Sequence, residues 1–204
     1  MVSTDVQVYR PVFGRILTVI VAVIALLVAV IGMVDNPAQM ARYLAPIALL
    51  VVATWAAFWR PAVMITPAGV EIRNITRTIE LPWPVIQMVD TQYALTLHTA
   101  IGQFSAWAAP APGRVEAKRA AKEGIRHLPS STYMGDSISP GDLPSSPSGA
   151  AALLIRRRWE ELRDAGLLDN PKLERSSPRI TWHTATLTAM GLLLAVSIAV
   201  AVFS

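Results

Sequence analysis

Long stretches without polar interruption and short stretches of strict alternation divide this chain, and the borders between them are abrupt. Residues 16 to 34 read ILTVIVAVIALLVAVIGMV, residues 43 to 59 read YLAPIALLVVATWAAFW, and residues 184 to 203 read TATLTAMGLLLAVSIAVAVF, all uncharged. A core helix of a small soluble domain keeps a polar stripe, and none of these runs has one. Each has about the length that a hydrocarbon layer of roughly 30 Å demands of a helix. The pattern predicts spanning helices at 16–34, 43–59 and 184–203. Pro46 is tolerated because it falls near the end of its span. The first run is longer than the apolar part of a secretory signal and no small-residue cleavage site follows it. Another apolar run comes directly after 35–42, so the two read as a membrane hairpin turning through those residues.

The segment after Trp59 changes period. Pro61 stops the helix, because its ring nitrogen cannot donate the next bond. Val63 and Ile65 then alternate with Met64 and Thr66. Pro67-Ala68-Gly69 reads as a turn, with Gly69 free to take a positive φ. Val70 and Ile72 oppose Glu71 and Arg73, and Asn74-Ile75-Thr76 is a second turn. Ile79 and Leu81 continue the alternation. PWPVIQMVD is less regular and fits a short strand or a turn of helix. Tyr93, Leu95 and Leu97 alternate with Ala94, Thr96 and His98, and Ala100-Ile101-Gly102 turns the chain into QFSAW. Short strands at this spacing predict an antiparallel sheet that curls or closes.

From 108 to 149 the chain reads as an insertion: AAPAPG, a basic stretch RVEAKRAAKEGIRHL that fits a short helix, then a Pro/Gly/Ser-rich segment. Residues 129–149 have almost no large apolar group to offset ordering entropy and are expected to be disordered. AALLIRRRWEELRDAG follows. Ile155, Trp159 and Leu162 fall on one face of a helix at i, i+4 and i+7, with Arg156, Arg157, Glu160 and Glu161 pointing away. Ser148 is the expected N-cap and Gly166 the stop. Trp159 is expected on the sheet face made by Val70, Ile72, Leu95 and Leu97. The pattern therefore gives an α+β domain over 60–167, a small barrel or bent antiparallel sheet capped by that helix, and a linker over 168–183.

Composition sharpens the membrane reading. Apolar residues make up 53% of the chain and charged residues 16%, against about 45–50% and 25% in ordinary soluble domains. Orientation follows from the cations near the span ends. Arg10 and Arg15 precede the first span; Arg60, Arg73 and Arg77 follow the second; Lys172, Arg175 and Arg179 precede the third. The 35–42 turn holds only Arg42, balanced by Asp35. Residues 1–15 and the domain are thus expected in the cytoplasm of a multi-pass cell-membrane protein, with the 35–42 turn and the C-terminus outside. Tyr43, Trp55, Trp59 and Trp182 sit where interfacial aromatics belong. The sequence contains no cysteine, so neither a disulfide framework nor a thiolate metal site can form.

The runs WRPAVMITPAGVEIRN, TIELPW and YALTLHTAIGQFSAWAAPAPG, in that order, resemble the bacterial pleckstrin-homology-like membrane proteins of high-GC bacteria. The resemblance covers roughly residues 9 to 113 and implies two spans ahead of a PH-like fold, a bent seven-stranded barrel capped by one C-terminal helix. The insertion and the third span lie outside it.

That fold raises a lipid-headgroup reading, for which members of the wider fold use cations in the first hairpin loop. Here that loop, Pro67-Ala68-Gly69, has none. The cations left to meet a lipid surface are Arg60, Arg73, Arg77, Arg114, Lys118 and Lys122, the last three sharing one helical face at four-residue spacing. The plainer reading of Arg73, Arg77 and the basic stretch is as solvated residues. Between Arg60 and Arg179 there are fifteen Lys and Arg against twelve Asp and Glu, a weak positive bias that suits anionic lipid better than nucleic acid. The three histidines, His98, His127 and His183, form no ligand spacing. Neither a nucleophile elbow nor a phosphate-binding glycine loop occurs. No catalytic or metal residue, cofactor or small-molecule substrate is expected. Two functions remain. One is a membrane-anchored interaction module that binds a protein partner or its own copies. The other is an accessory subunit held in a larger membrane complex through its spans, where Gly191, Ala195 and Ala199 recur every four residues and permit close helix contact.

Overall fold

The computed structural model describes residues 6–112, 146–168 and 177–203. It divides into two compact units, Met1–Pro11 with Pro61–Thr181, and Val12–Arg60 with Trp182–Ser204.

The second unit is helical. Helix α1 runs Val12–Asp35 and α2 runs Pro37–Thr54, continuing as a π-helical turn over Trp55–Trp59. A third long helix covers Thr184–Phe203. All three are long and apolar enough to cross a membrane. Large apolar side chains stand exposed around them, among them Phe13, Val34 and Leu192 at 74%, 84% and 68%, an arrangement that water penalises and lipid does not. The expected turn over 35–42 shrinks to Asn36. Its side chain accepts from the Gln39 amide at 3.1 Å, and Pro37 occupies the first helical position, where its missing N–H is no loss. α1 likewise starts four residues before the expected span and takes in Arg15. The hairpin closes on small residues: a Cβ on Gly14 would come within 2.5 Å of the Phe58 carbonyl, and one on Gly32 would strike the Met40 side chain.

The other unit is built on two antiparallel sheets. The larger has the order β1-β2-β3-β4-β8: β1 Gln7–Tyr9, β2 Ala62–Ile65, β3 Gly69–Arg73, β4 Arg77–Pro82 and β8 Arg179–Trp182. The smaller has the order β5-β6-β7: β5 Ile86–Asp90, β6 Ala94–Thr99 and β7 Gly102–Pro110. Period-two alternation becomes rows of apolar pairs across the strands, Ile65 opposite Val70 opposite Leu81, and Val63 opposite Ile72 opposite Ile79. Those side chains, with Leu95 and Leu97 of β6, are the centre of the core.

Several details differ from expectation. Among the described residues there are eight strands rather than seven, and the sheets do not close into a barrel. Pro82 precedes, and Pro84 lies within, a 3-10 turn at Trp83–Val85 between β4 and β5, and proline cannot donate to a ladder there. β8 occupies the described end of the expected linker. Gly69 is needed for close approach instead of a positive φ, since a Cβ there would lie 2.1 Å from the Leu81 carbonyl oxygen. The insertion is narrower than 108–149: β7 extends to Pro110, and the capping helix, α3, starts at Pro147 and ends at Asp164. Its N-cap is Ser146, accepting from the Gly149 amide at 2.9 Å, and not Ser148. Pro147 decides this by taking the first helical position. The rest of the expected disordered segment and the RVEAKRAAKEGIRHL stretch lie outside the described residues. The helix at Thr184–Phe203 is α4 below.

Candidate functional site

The capping helix meets the sheets through a wider face than i, i+4, i+7 spacing suggests. Ala151, Ala152 and Ile155 are fully buried and Leu162 is nearly so. Ile155 takes the central position expected of Trp159. One turn later, Trp159 is half-buried against the margin of the core, and its indole N–H donates to the Ile86 carbonyl at 3.2 Å. Arg163 stacks on its other side, 5.3 Å from the ring centre. Arg156, expected to point away, is buried, and its Nη2 donates to the Val89 carbonyl at 2.8 Å. Trp159 and Arg156 thus take up outer-edge carbonyls of β5 that a closed barrel would give to another strand. At the far edge of that sheet Asn74 does the same for β7: its side chain donates to the Ser105 carbonyl at 2.9 Å and accepts from the Trp107 amide at 2.8 Å.

The cations expected at a lipid surface are not gathered into one group. Arg60 belongs to the helical unit, where it stacks over Trp55 and its Nη1 donates to Thr186 Oγ1 at 2.6 Å. Arg73 closes an ion pair with Glu71 at 3.1 Å, which eases the like-charge opposition of Glu71 and Glu80 across β3 and β4. Arg77 opens β4. Arg114, Lys118 and Lys122 lie outside the described residues. Arginines the sequence did not single out, Arg157 and Arg158, line a cavity of about 210 Å³ with Gln7, Thr66 and Leu154. Glu161 already pairs with Arg158 there, at 3.0 Å.

The outer face of β5–β6–β7 is open. Met88 is 50% exposed and Trp107 56%. Between them His98 faces Met88 and Gln103 in register, and Thr96 bonds Ser105 through their hydroxyls at 2.9 Å. The Asp90 carboxylate accepts from the Thr91 and Gln92 amides at 2.7 and 3.0 Å, closing the β5–β6 turn. Its other oxygen is 4.0 Å from His98 Nε2, which is buried and without a hydrogen-bond partner. Among the described residues no three His, Asp or Glu side chains could hold a metal ion together.

Residues 60–122 match the family model described as the bacterial PH domain. The chain contains a bacterial PH-like domain. No curated protein and no solved structure matches it. The match spans β2 to β7 of the PH domain together with residues 113–122. It leaves out β1, β8 and α3, which complete the five-stranded sheet and cap the core. The Asn74 clamp falls inside the match, at the end of the GVEIRN motif, so that conspicuous asparagine has a physical task in the PH domain: it stands in for a strand beside β7.

Proposed function

We propose that this chain is a non-enzymatic, membrane-anchored interaction module whose PH domain works at the cytoplasmic face of the cell membrane and binds a protein partner or a second copy of itself. The outer face of β5–β6–β7 carries the reading. A tryptophan and a methionine, each at least half exposed, stand on a rigid sheet among small polar side chains, and aromatic and methionine side chains ringed by polar ones are what protein interfaces favour. Chain connectivity supports the anchoring. Only Arg10 and Pro11 separate β1 from α1, only Arg60 and Pro61 separate the α2 extension from β2, and only His183 separates β8 from α4. Domain cations near the bilayer add attraction to anionic lipid of about 1 kcal/mol each.

A second reading rests on α4. The face bearing Gly191, Ala195 and Ala199 is exposed, with nothing within 4 Å of a Cβ placed on Gly191. Such a face suits a foreign helix and supports an accessory subunit of a larger complex. Mass measurement after gentle detergent extraction separates the two. An oligomer of this chain, or a complex that dissociates on Trp107→Ala, supports the first reading. A hetero-complex indifferent to Trp107→Ala and lost on Gly191→Leu supports the second. A monomer bound to nothing defeats both.

A further inference from the structure

Side chains cap both edges of the smaller sheet. Trp159 and Arg156 take carbonyls of β5, and Asn74 takes a carbonyl and an amide of β7. β1, at the end of the five-stranded sheet, differs. It pairs with β2 on one side, and among the described residues no strand and no side chain takes up its other edge. Its residues, Gln7–Tyr9, include no charge and no proline, the features that commonly blunt an exposed edge. Val6 and Val8 stand 55% and 46% exposed. β1 also lies outside the family match of residues 60–122.

Alternation settles what lies on each face of that edge. Tyr9 packs against the core, so Gln7, two residues back, is on the same side of the sheet and Val8 on the other. On the Gln7 side β1 meets α3. Gln7, Ile65, Leu154, Arg157, Arg158 and Glu161 line the cavity of about 210 Å³ there. Arg158 and Glu161 are paired with each other at 3.0 Å. Arg157 and the Gln7 side chain are exposed and make no hydrogen bond or ion pair among the described residues. The cavity is smaller than the roughly 300–1,000 Å³ of pockets that hold drug-sized molecules, and suits a single side chain. Its apolar lining and unpaired guanidinium match one with a short apolar stem and a carboxylate end.

We propose that β1 is a docking edge for an extended acidic segment of a protein partner, which adds to the sheet as a further strand and places a glutamate or aspartate beside Arg157 and Gln7. A residue paired opposite Gln7 shares its face and points toward the cavity. Its two neighbours point to the side of Val8. The segment recognised therefore reads apolar–acidic–apolar. Main-chain hydrogen bonds supply affinity, and the carboxylate supplies selectivity. This inference rests on the interaction-module reading but uses a different surface from the Trp107 face.

The test uses the full chain in phosphatidylcholine nanodiscs and a fluorescent ten-residue peptide of alternating valine and threonine with Val-Glu-Val at its centre, followed by anisotropy. The peptide is expected to bind about tenfold tighter than its counterpart with glutamine at the centre, the worth of about one charge-assisted hydrogen bond. Arg157→Gln should abolish that preference, and Arg157→Glu should transfer it to a peptide with lysine at the centre. Methylating alternate backbone amides of the peptide should abolish binding in one of the two possible sets and spare it in the other. No detectable binding of the glutamate peptide overturns the proposal, as does equal binding of the glutamate and glutamine peptides. A preference that survives both Arg157 variants overturns it too, and so does indifference to both methylation sets. Dimerisation of the chain that the peptide cannot displace would give the edge to a second copy instead. A hetero-complex that dissociates on Trp107→Ala, from a chain that ignores the peptides, sinks this inference and leaves the interaction-module reading standing.

Discussion

Asn74 and Tyr9 each carry more of the fold than their size suggests. Asn74→Ala strips a partner from both Ser105 and Trp107 on β7, and backbone groups left so cost about 1–3 kcal/mol each where water cannot replace the bond. Because the contact is solvent-exposed, the lower end applies, and thermal unfolding of the purified chain should show a midpoint lower by several degrees. Asn74→Asp keeps the acceptor for Trp107 and should lose only part of that. Tyr9 pairs with Val63 at the edge of the five-stranded sheet, and burial pushes its phenol above the ordinary value of 10.0. Its neutral form is favoured by the fold, so its contribution is complete below pH 10 and is lost as pH rises through the raised folded value. Tyr9→Phe should flatten the alkaline limb of a stability–pH curve; an unchanged limb would show that β1 does not shield the phenol.

Elements were legible in the sequence where a period ran long enough to register. The three long apolar helices and the rows of β2, β3, β4 and β6 follow from unbroken apolarity and strict alternation. β1 and β8, at three and four residues, are too short for alternation to register, and each adjoins a long apolar helix that dominates its surroundings. α3 was visible but its phase was not. Alanines at 151 and 152 widen the buried face, and Arg156 is held by a backbone carbonyl that side-chain patterning does not encode. The Ser146-Pro147 pair was the available signal for the helix start, hidden among neighbouring serines. Helix packing gives a sharp contrast. Gly14→Val places side-chain atoms against the Phe58 backbone and should destabilise the helical unit by about 1–3 kcal/mol, as overpacking does. Gly191→Val meets open space and should leave the melting temperature of the isolated chain in detergent nearly unchanged.

The whole molecule couples a sheet to its helices through very short connections, and its orientation is a separate expectation. Cations flank the ends of α1, α2 and α4 that join the sheet strands, whereas the Asn36 turn carries Asp35 and Arg42 nearby. Reporters fused after Ala38, within the domain at Gly141 and after Ser204 should read outside, inside and outside; an external reporter at Gly141 reverses the arrangement. The Arg15–Trp59 stack could not be foreseen from the sequence, because those two residues meet only once α1 folds back along α2.

The strand order also bears on the making of the protein. The five-stranded sheet takes β1 from before the first helix and β8 from immediately before α4, with the whole PH domain between them. A chain grows from its N-terminus at about 5–20 residues per second. When β4 has left the ribosome, nearly 100 residues remain before β8 can join its edge, and for those seconds β4 presents an unpaired row of backbone groups. In the proposed membrane-anchored arrangement, completion of the sheet coincides with delivery of α4 to the insertion machinery, so a nascent chain stalled before Arg179 should be a better chaperone and protease substrate than one stalled a few residues after Trp182.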